Sequence, residues 1–276
     1  MMPHPEDKLP LAGRRIAVLE HRELDRLGHM LEAQGAETLR CPLIAIVDSG
    51  ESEAVGAWLR RFVETPPDDL VLMTGEGLRR LAGFAARIGI EPAFREALGR
   101  VRSLTRGPKP AQALRALGLN PGLRAAQPTT DGVIAALSQS ELRGRRVAVQ
   151  LYPDAPDTLT DFLATAGALA DPVFPYAYVT AASDDTVLGL IADLGNGRVD
   201  AVAFTSTPQV TRLFAAAAEA RLEEQLRESL GGTQIAAVGP VVAQALRQQG
   251  LHVAIMPRDS FFMKPLVTAI ADALSR

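Results

Sequence analysis

Cysteine is almost missing from this chain: Cys41 is the only one in 276 residues. One thiol makes neither an internal disulfide nor a zinc cage, so Cys41 is expected to be a plain strand residue. Histidine is scarce too. His4, His21, His29 and His252 are scattered, with no pair at metal-ligand spacing. An excess of charge of one sign is also lacking. The 29 basic and 32 acidic residues leave a net charge of −3, which offers no broad surface to a nucleic acid. An anionic ligand would have to be held by local donors. No apolar run reaches the ~20 residues needed to span a membrane. The opening MMPHPEDKLP lacks the charged-then-apolar pattern of a secretory leader. Residues 1–10 therefore read as a flexible tail, and a cytoplasmic location is expected.

What is present is ample apolar material, 47% of residues against 22% charged. At roughly 150 residues per domain the length allows two cores. The chain also repeats itself at an offset of roughly 131 to 133 residues. Gly13-Arg14-Arg15-Ile16-Ala17-Val18 recurs as Gly144-Arg145-Arg146-Val147-Ala148-Val149, and Asp69 through Thr74 recurs as Asp200 through Thr205. The stretch from Gly107 through Ala113-Leu114 to Gly118-Leu119 recurs from Gly239 through Ala245-Leu246 to Gly250-Leu251. Gly35 pairs with Gly167, and Pro42 with Pro175.

Each half alternates short apolar runs with helical patterns. IAVL, LVLM, VAVQL, AVAF and IAAV are buried-strand candidates. Leu24, Leu27 and Leu31, or Val242, Ala245 and Leu246, have helical spacing. Gly35, Gly118, Gly167 and Gly250 stand where a helix ends in a left-handed residue. Such alternation predicts an α/β protein with two flavodoxin-like parallel-sheet domains of four or five strands each. Pro42 and Pro175 mark the two crossings of a double linker, and the site is expected in the cleft between the domains.

Common chemical signatures are missing. No Walker loop is present, and Gly75-Glu76-Gly77 matches a dinucleotide turn only in part, because Arg80 stands where the third glycine belongs. Ser206 lacks the flanking glycines of a nucleophile elbow. Ser183-Asp184-Asp185 and Glu223-Glu224 read as helix starts, and Trp58 with Phe62 as core. The informative loops follow the strand candidates: Arg22, Thr74-Gly75, Arg106 to Lys109, Tyr152-Pro153, Ser206-Thr207 and Gly239 to Val241. Most precede a helix, where exposed N–H groups and the helix dipole favour anions.

At these loops the sequence resembles the uroporphyrinogen-III synthase family, from about Leu11 to Leu274. Val202 through Val210, with Thr205-Ser206-Thr207, is similar to its strand, Thr-Ser, helix-start segment. Ile235 through Pro240 is similar to its second glycine segment, and Pro175-Tyr176-Ala177-Tyr178 to its linker. Arg106-Gly107-Pro108-Lys109 resembles one bacterial branch. The resemblance implies an exchange, with one discontinuous domain of 11–42 plus 178–276 and another of 43–177.

It also implies a function: cyclisation of the linear tetrapyrrole hydroxymethylbilane to uroporphyrinogen III, with inversion of ring D and loss of water. No cofactor or metal, a polycarboxylate substrate, no membrane or nucleic-acid partner and a monomer are expected. Tyr176 is the catalytic candidate, since a phenol with a pKa of ~10 can protonate the departing hydroxyl. Arg22, Thr74, Gly75, Arg106, Lys109, Ser206, Thr207, Gly239 and Val241 are the candidate substrate-binding residues. Val241-Val242, Lys109-Pro110 and Met73 stand where relatives carry hydroxyl residues. The alternatives are a non-catalytic tetrapyrrole-sensing module of the same fold, or a two-domain small-molecule binding protein.

Overall fold

A computed structural model describes residues 9–275. Of the tail expected over residues 1–10, all but the last two lie outside the described residues. The strands in chain order are β1 (Arg15–Val18), β2 (Glu37–Arg40), β3 (Ile44–Asp48), β4 (Asp69–Leu72), β5 (Arg102–Thr105) and β6 (Leu123–Arg124). They continue with β7 (Arg146–Gln150), β8 (Leu169–Val173), β9 (Tyr176–Thr180), β10 (Ala201–Phe204) and β11 (Gln234–Ala237). All five apolar runs are strands: β1, β4, β7, β10 and β11.

Two compact units result. The first holds the described residues up to Ala45 and those from Tyr178 onward; the second is Ile46–Ala177. The first unit has a parallel sheet in the order β11-β10-β1-β2, the second in the order β6-β5-β4-β7-β8. The chain crosses between units within β3 and within β9, and these two strands pair with each other. Ser49 N–H donates to the Pro175 carbonyl and Ala181 N–H to that of Leu43, the pattern of an antiparallel ladder.

The two sheets share one spatial plan. β1 stands where β7 does, β2 where β8 does, β10 where β4 does, and β11 where β5 does. The second unit is thus the first one entered at a different strand. Even β6 has a counterpart, because Ile255 bridges Ala236 in parallel just as Leu123 pairs with Leu104.

Strand register corrects one part of the sequence alignment. Ile16 lies opposite Ala201 and Val147 opposite Asp69, so Asp69 corresponds to Ala201, not to Asp200. Asp68 is the true counterpart of Asp200. The Asp68 carboxylate accepts from Arg146 N–H at 2.8 Å, and the Asp200 carboxylate accepts from Arg15 N–H at 2.8 Å. Run against run, the sequences had slipped by one residue, because Asp-apolar pairs align well in either register. The corrected register places Thr74 opposite Ser206, Gly77 opposite Gln209 and Gln150 opposite Leu19.

Each sheet buries both faces. In the second unit Leu70, Leu72 and Ala148 pack on one side with Trp58, Phe62, Leu81 and Phe94, while Val71, Val147 and Val149 pack on the other with Val133, Leu159 and Leu163. This two-residue alternation is the reason the runs are apolar throughout. Gly35, Gly118, Gly167 and Gly250 have φ between +75° and +95°, as expected at helix ends. Trp58 is core, its indole N–H donating to the Asp171 carbonyl at 3.2 Å. Among the described residues no helix is long and apolar enough to cross a membrane.

Cys41 follows β2 and is buried. Burial pushes its thiol from 9.0 up to about 11, so the thiolate is scarce at pH 8 by about a hundredfold relative to the ordinary thiol. Labelling with a thiol reagent at pH 8 should therefore be at least about a hundredfold slower in native protein than in urea-unfolded protein. Comparable rates would show that Cys41 is open to solvent.

Candidate functional site

Ligands of parallel sheets bind beyond the carboxyl ends of the strands, where the strand order reverses. In the second unit the order reverses between β4 and β7, since the chain proceeds from β4 to β5 on one side and from β7 to β8 on the other. Thr74 and Gly75 leave β4 there, Gln150 ends β7, and Tyr176 opens β9.

Thr74 is the N-cap of the helix Gly75–Arg87, and its Oγ1 accepts from Gly77 N–H at 3.0 Å. Its own N–H donates to Oε1 of Gln150 at 3.0 Å, and Oγ1 donates to the same Oε1 at 3.4 Å. On its other side Oγ1 lies 3.2 Å from the Tyr176 hydroxyl. Tyr176 is only 3% exposed, so it points inward from β9. Gln150 is completely buried, and a glycine makes room for it: a Cβ on Gly77 would sit 2.0 Å from the Gln150 amide. Gly75 serves a second approach, since its Cβ would lie 2.6 Å from the Lys109 carbonyl. Gly75-Glu76-Gly77 is therefore a packing pattern.

Arg80, the residue that breaks the dinucleotide pattern, has its own task. Its guanidinium bonds Asp48 at 2.7 Å, Glu76 at 2.8 Å and the Ile46 carbonyl at 2.8 Å. Burial works against its charge, but the bonds to Asp48 and Glu76 outweigh this and hold its pKa above the usual arginine range. The helix that Thr74 caps is thereby tied to β3.

The loop after β5 holds Arg106 and Lys109. The Arg106 guanidinium lies 5.3 Å from the centre of the Tyr152 ring, a cation–π geometry. Lys109 is exposed in the first turn of the helix Pro108–Ala116. Prolines on both sides of it remove two of the three N–H groups that this turn would offer an anion.

In the first unit the order reverses between β1 and β10. Arg22 is exposed in the segment after β1. Ser206 caps the helix Thr207–Glu219, and Gly239 caps the helix Pro240–Gln248, in which Val241 is the second residue. Gly239 has extended backbone, and a Cβ there would meet the Phe261 side chain at 3.0 Å. The bonds that organise this cluster involve residues outside the expected set. Gln209 Oε1 accepts from Thr205 N–H at 2.8 Å and Ser206 N–H at 3.2 Å, its Nε2 donates to Thr205 Oγ1 at 2.8 Å, and the Thr205 hydroxyl donates to Glu20.

The model of the uroporphyrinogen-III synthase family matches residues 25–268. The chain belongs to this family. It is 33% identical to an uncharacterized Bacillus subtilis protein, YjjA, over 90% of this chain and 91% of that one. Its fold matches a mutant uroporphyrinogen III synthase from the extremely thermophilic bacterium Thermus thermophilus, with a TM-score of 0.77, 27% identity and coverage of 95% of this chain and 99% of that one. A uroporphyrinogen III synthetase of Helicobacter pylori shares the fold at 11% identity and a TM-score of 0.52, over 94% of this chain and 99% of that one.

Within this family fold the structure joins Thr74 to Tyr176 and packs Gly75 on Lys109. Arg106 is engaged with Tyr152, in another of the loops that follow strand candidates. Gln150, Glu20, Thr205 and Gln209 were missed. One signal was available for Gln150: it is the amide that ends the apolar run VAVQL, and a buried amide must have partners. Among the described residues no group of three or more His, Cys, Asp or Glu could hold a metal ion.

Alanine normally stabilises a helix relative to glycine by about 1 kcal/mol. At Gly77 the sign should reverse, because the new Cβ would displace a buried, bonded amide. Gly77→Ala is expected to lower stability by about 2–3 kcal/mol in urea unfolding. A neutral or stabilising effect would show that Gln150 is not held there.

Proposed function

We propose that this chain cyclises hydroxymethylbilane to uroporphyrinogen III, inverting ring D and releasing water, and that it does so without a cofactor. The observation that carries the reading is the phenol of Tyr176 set 3.2 Å from the hydroxyl that caps a helix, at the strand-order reversal of a family-member fold. Tyr176 donates its proton to the hydroxyl of the substrate's hydroxymethyl group. The C–O bond breaks, water leaves, and the pyrrole nitrogen's electron pair stabilises the resulting azafulvene cation. The already substituted α-carbon of ring D attacks this cation to form a spiro intermediate. The bond from that carbon to the methylene bridge of ring C breaks to leave a second azafulvene cation, and this cation closes on the other α-carbon of ring D. The proton lost as the pyrrole regains aromaticity restores the Tyr176 phenol, and positioning supplies most of the acceleration.

The substrate is a polycarboxylate, and each unit offers helix N-termini at its strand ends. Each such terminus contributes about 0.3–1 kcal/mol toward an anion. Thr74, Gly75, Ser206, Thr207, Gly239 and Val241 belong to these turns, and Arg22, Arg106 and Lys109 add positive charge. We assign the protein to the cytoplasm as a monomer acting in tetrapyrrole biosynthesis.

The test is a coupled assay. Hydroxymethylbilane is generated enzymatically, the protein is added, and the oxidised uroporphyrin isomers are separated. Isomer III in proportion to added protein is the expected result; isomer I alone, the product of uncatalysed closure, would refute the reaction. Tyr176→Phe should then lower kcat by about 10- to 100-fold, the range for a positioned proton donor. An unchanged kcat would remove Tyr176 from that role.

A further inference from the structure

The two units solve the same problem at the same place with different residues. In both, the N–H of the residue that caps the helix after the central strand faces the sheet and needs an acceptor. In the first unit the helix supplies it: Gln209 in the first turn reaches back to Ser206 N–H, and the strand-end position holds Leu19, completely buried. In the second unit the helix position is Gly77, and the acceptor comes from the strand, from Gln150. A buried amide at a strand end is more costly than a leucine unless it is used. The same N–H could have been satisfied as in the first unit, so capping alone does not account for Gln150.

The difference lies in what each amide reaches besides that N–H. Gln209 turns its Nε2 to Thr205, the residue before the cap, whose counterpart in the second unit is Met73. Gln150 donates its Nε2 to the Leu151 carbonyl, and its Oε1 is bonded to the cap residue itself, by Thr74 N–H at 3.0 Å and by Thr74 Oγ1 at 3.4 Å. Thr74 Oγ1 has one proton and two lone pairs. Gln150 Oε1 only accepts and can take this proton; one lone pair takes Gly77 N–H, and the other then faces the Tyr176 hydroxyl at 3.2 Å, a contact in which either oxygen could donate. With the Thr74 proton on Gln150, Tyr176 is the donor of that contact, and its hydroxyl has a defined rest orientation.

We propose that Gln150 is a positioning residue for Tyr176, acting through Thr74: it fixes both the place and the hydrogen-bond direction of the Thr74 hydroxyl against which the phenol is held. The proposal rests on the cyclisation reading above. Gln150 touches no substrate in this role, so its loss acts on kcat much more than on KM, which shifts only as far as Thr74 moves within its substrate-binding turn.

The decisive variant copies the first unit's solution into the second. Gln150→Leu alone loses the cap acceptor and the positioning together. Gly77→Gln with Gln150→Leu restores an acceptor borne by the helix but leaves the Thr74 hydroxyl without its partner. For this double variant we expect a Tm within about 5 °C of the wild type, kcat down by about tenfold, and KM for hydroxymethylbilane within about twofold. Recovery of kcat along with Tm would show that Gln150 only caps, and would overturn the proposal.

Should the transplanted pair fail to fold, Thr74→Val, Gln150→Leu and their combination give a second route, read on the fraction that folds. One chain of bonds predicts that the combination lowers kcat no further than the stronger single variant; independent, multiplying losses would overturn the proposal. Isomer I alone from wild-type protein would instead defeat the reaction itself, and with it any role for Gln150 in it.

Discussion

The parallel pairing of β1 with β10, and of β7 with β4, is the constraint on which the rest depends. In each sheet the two central strands come from different repeats, 185 residues apart at Ile16 and Ala201 and 78 apart at Asp69 and Val147. Neither repeat can therefore complete a sheet by itself, and the chain has to cross twice, in β3 and β9. The central position also sets which loops are neighbours. Strand order reverses between these same strands, so the segments leaving them lie side by side beyond the sheet. Aspartates at the opposite end hold the register: Asp68 and Asp200 each bind the backbone N–H of the arginine that opens the neighbouring strand. Beside them Asp69, almost fully buried, is paired with Arg102 and Arg145.

Duplication then left two copies of one plan free to diverge. Core positions kept their chemistry, because a buried strand between two helical layers needs apolar residues on both faces. The loop ends did not. The first unit uses Gln209 with Leu19, the second Gly77 with Gln150, and each pair makes sense only as a pair. A glutamine at position 77 would collide with Gln150, while a leucine at 150 opposite Gly77 would leave the Thr74 N–H without an acceptor. The Tyr176 hydroxyl meets this arrangement 3.2 Å from Thr74 Oγ1.

Much of the fold was legible in the residues. The five apolar runs are strands, the four glycines end helices, and the repeat announced two similar units. The less legible strands are those whose polar residues are satisfied by neighbours. β5 reads Arg-Ser-Leu-Thr, yet Ser103 and Thr105 are buried, because Ser103 accepts from Gly122 N–H and Thr105 donates to the Leu123 carbonyl. β8 contains Pro172, tolerated because β8 is an edge strand. The candidate site was legible as loops rather than as bonds. Thr74 and Tyr176 were each singled out, but nothing in the spacing of residues 102 positions apart says that their hydroxyls meet.

Residue order alone was enough to set the class of the protein: α/β, duplicated, parallel-sheeted, and a member of its family by motifs in order. Hydrophobic period and turn chemistry are local properties, readable a few residues at a time. The remainder came from the packed fold. The one-residue shift between the repeats emerged from strand register, since apolar runs of similar composition align almost equally well when slipped. Gln150 can be buried and bonded because a missing Cβ on Gly77, 73 residues away in the chain, opens the space for its amide. Steric room and hydrogen-bond direction depend on ångström-scale approach between distant segments, and that information is carried by the packing, not by any stretch of residues.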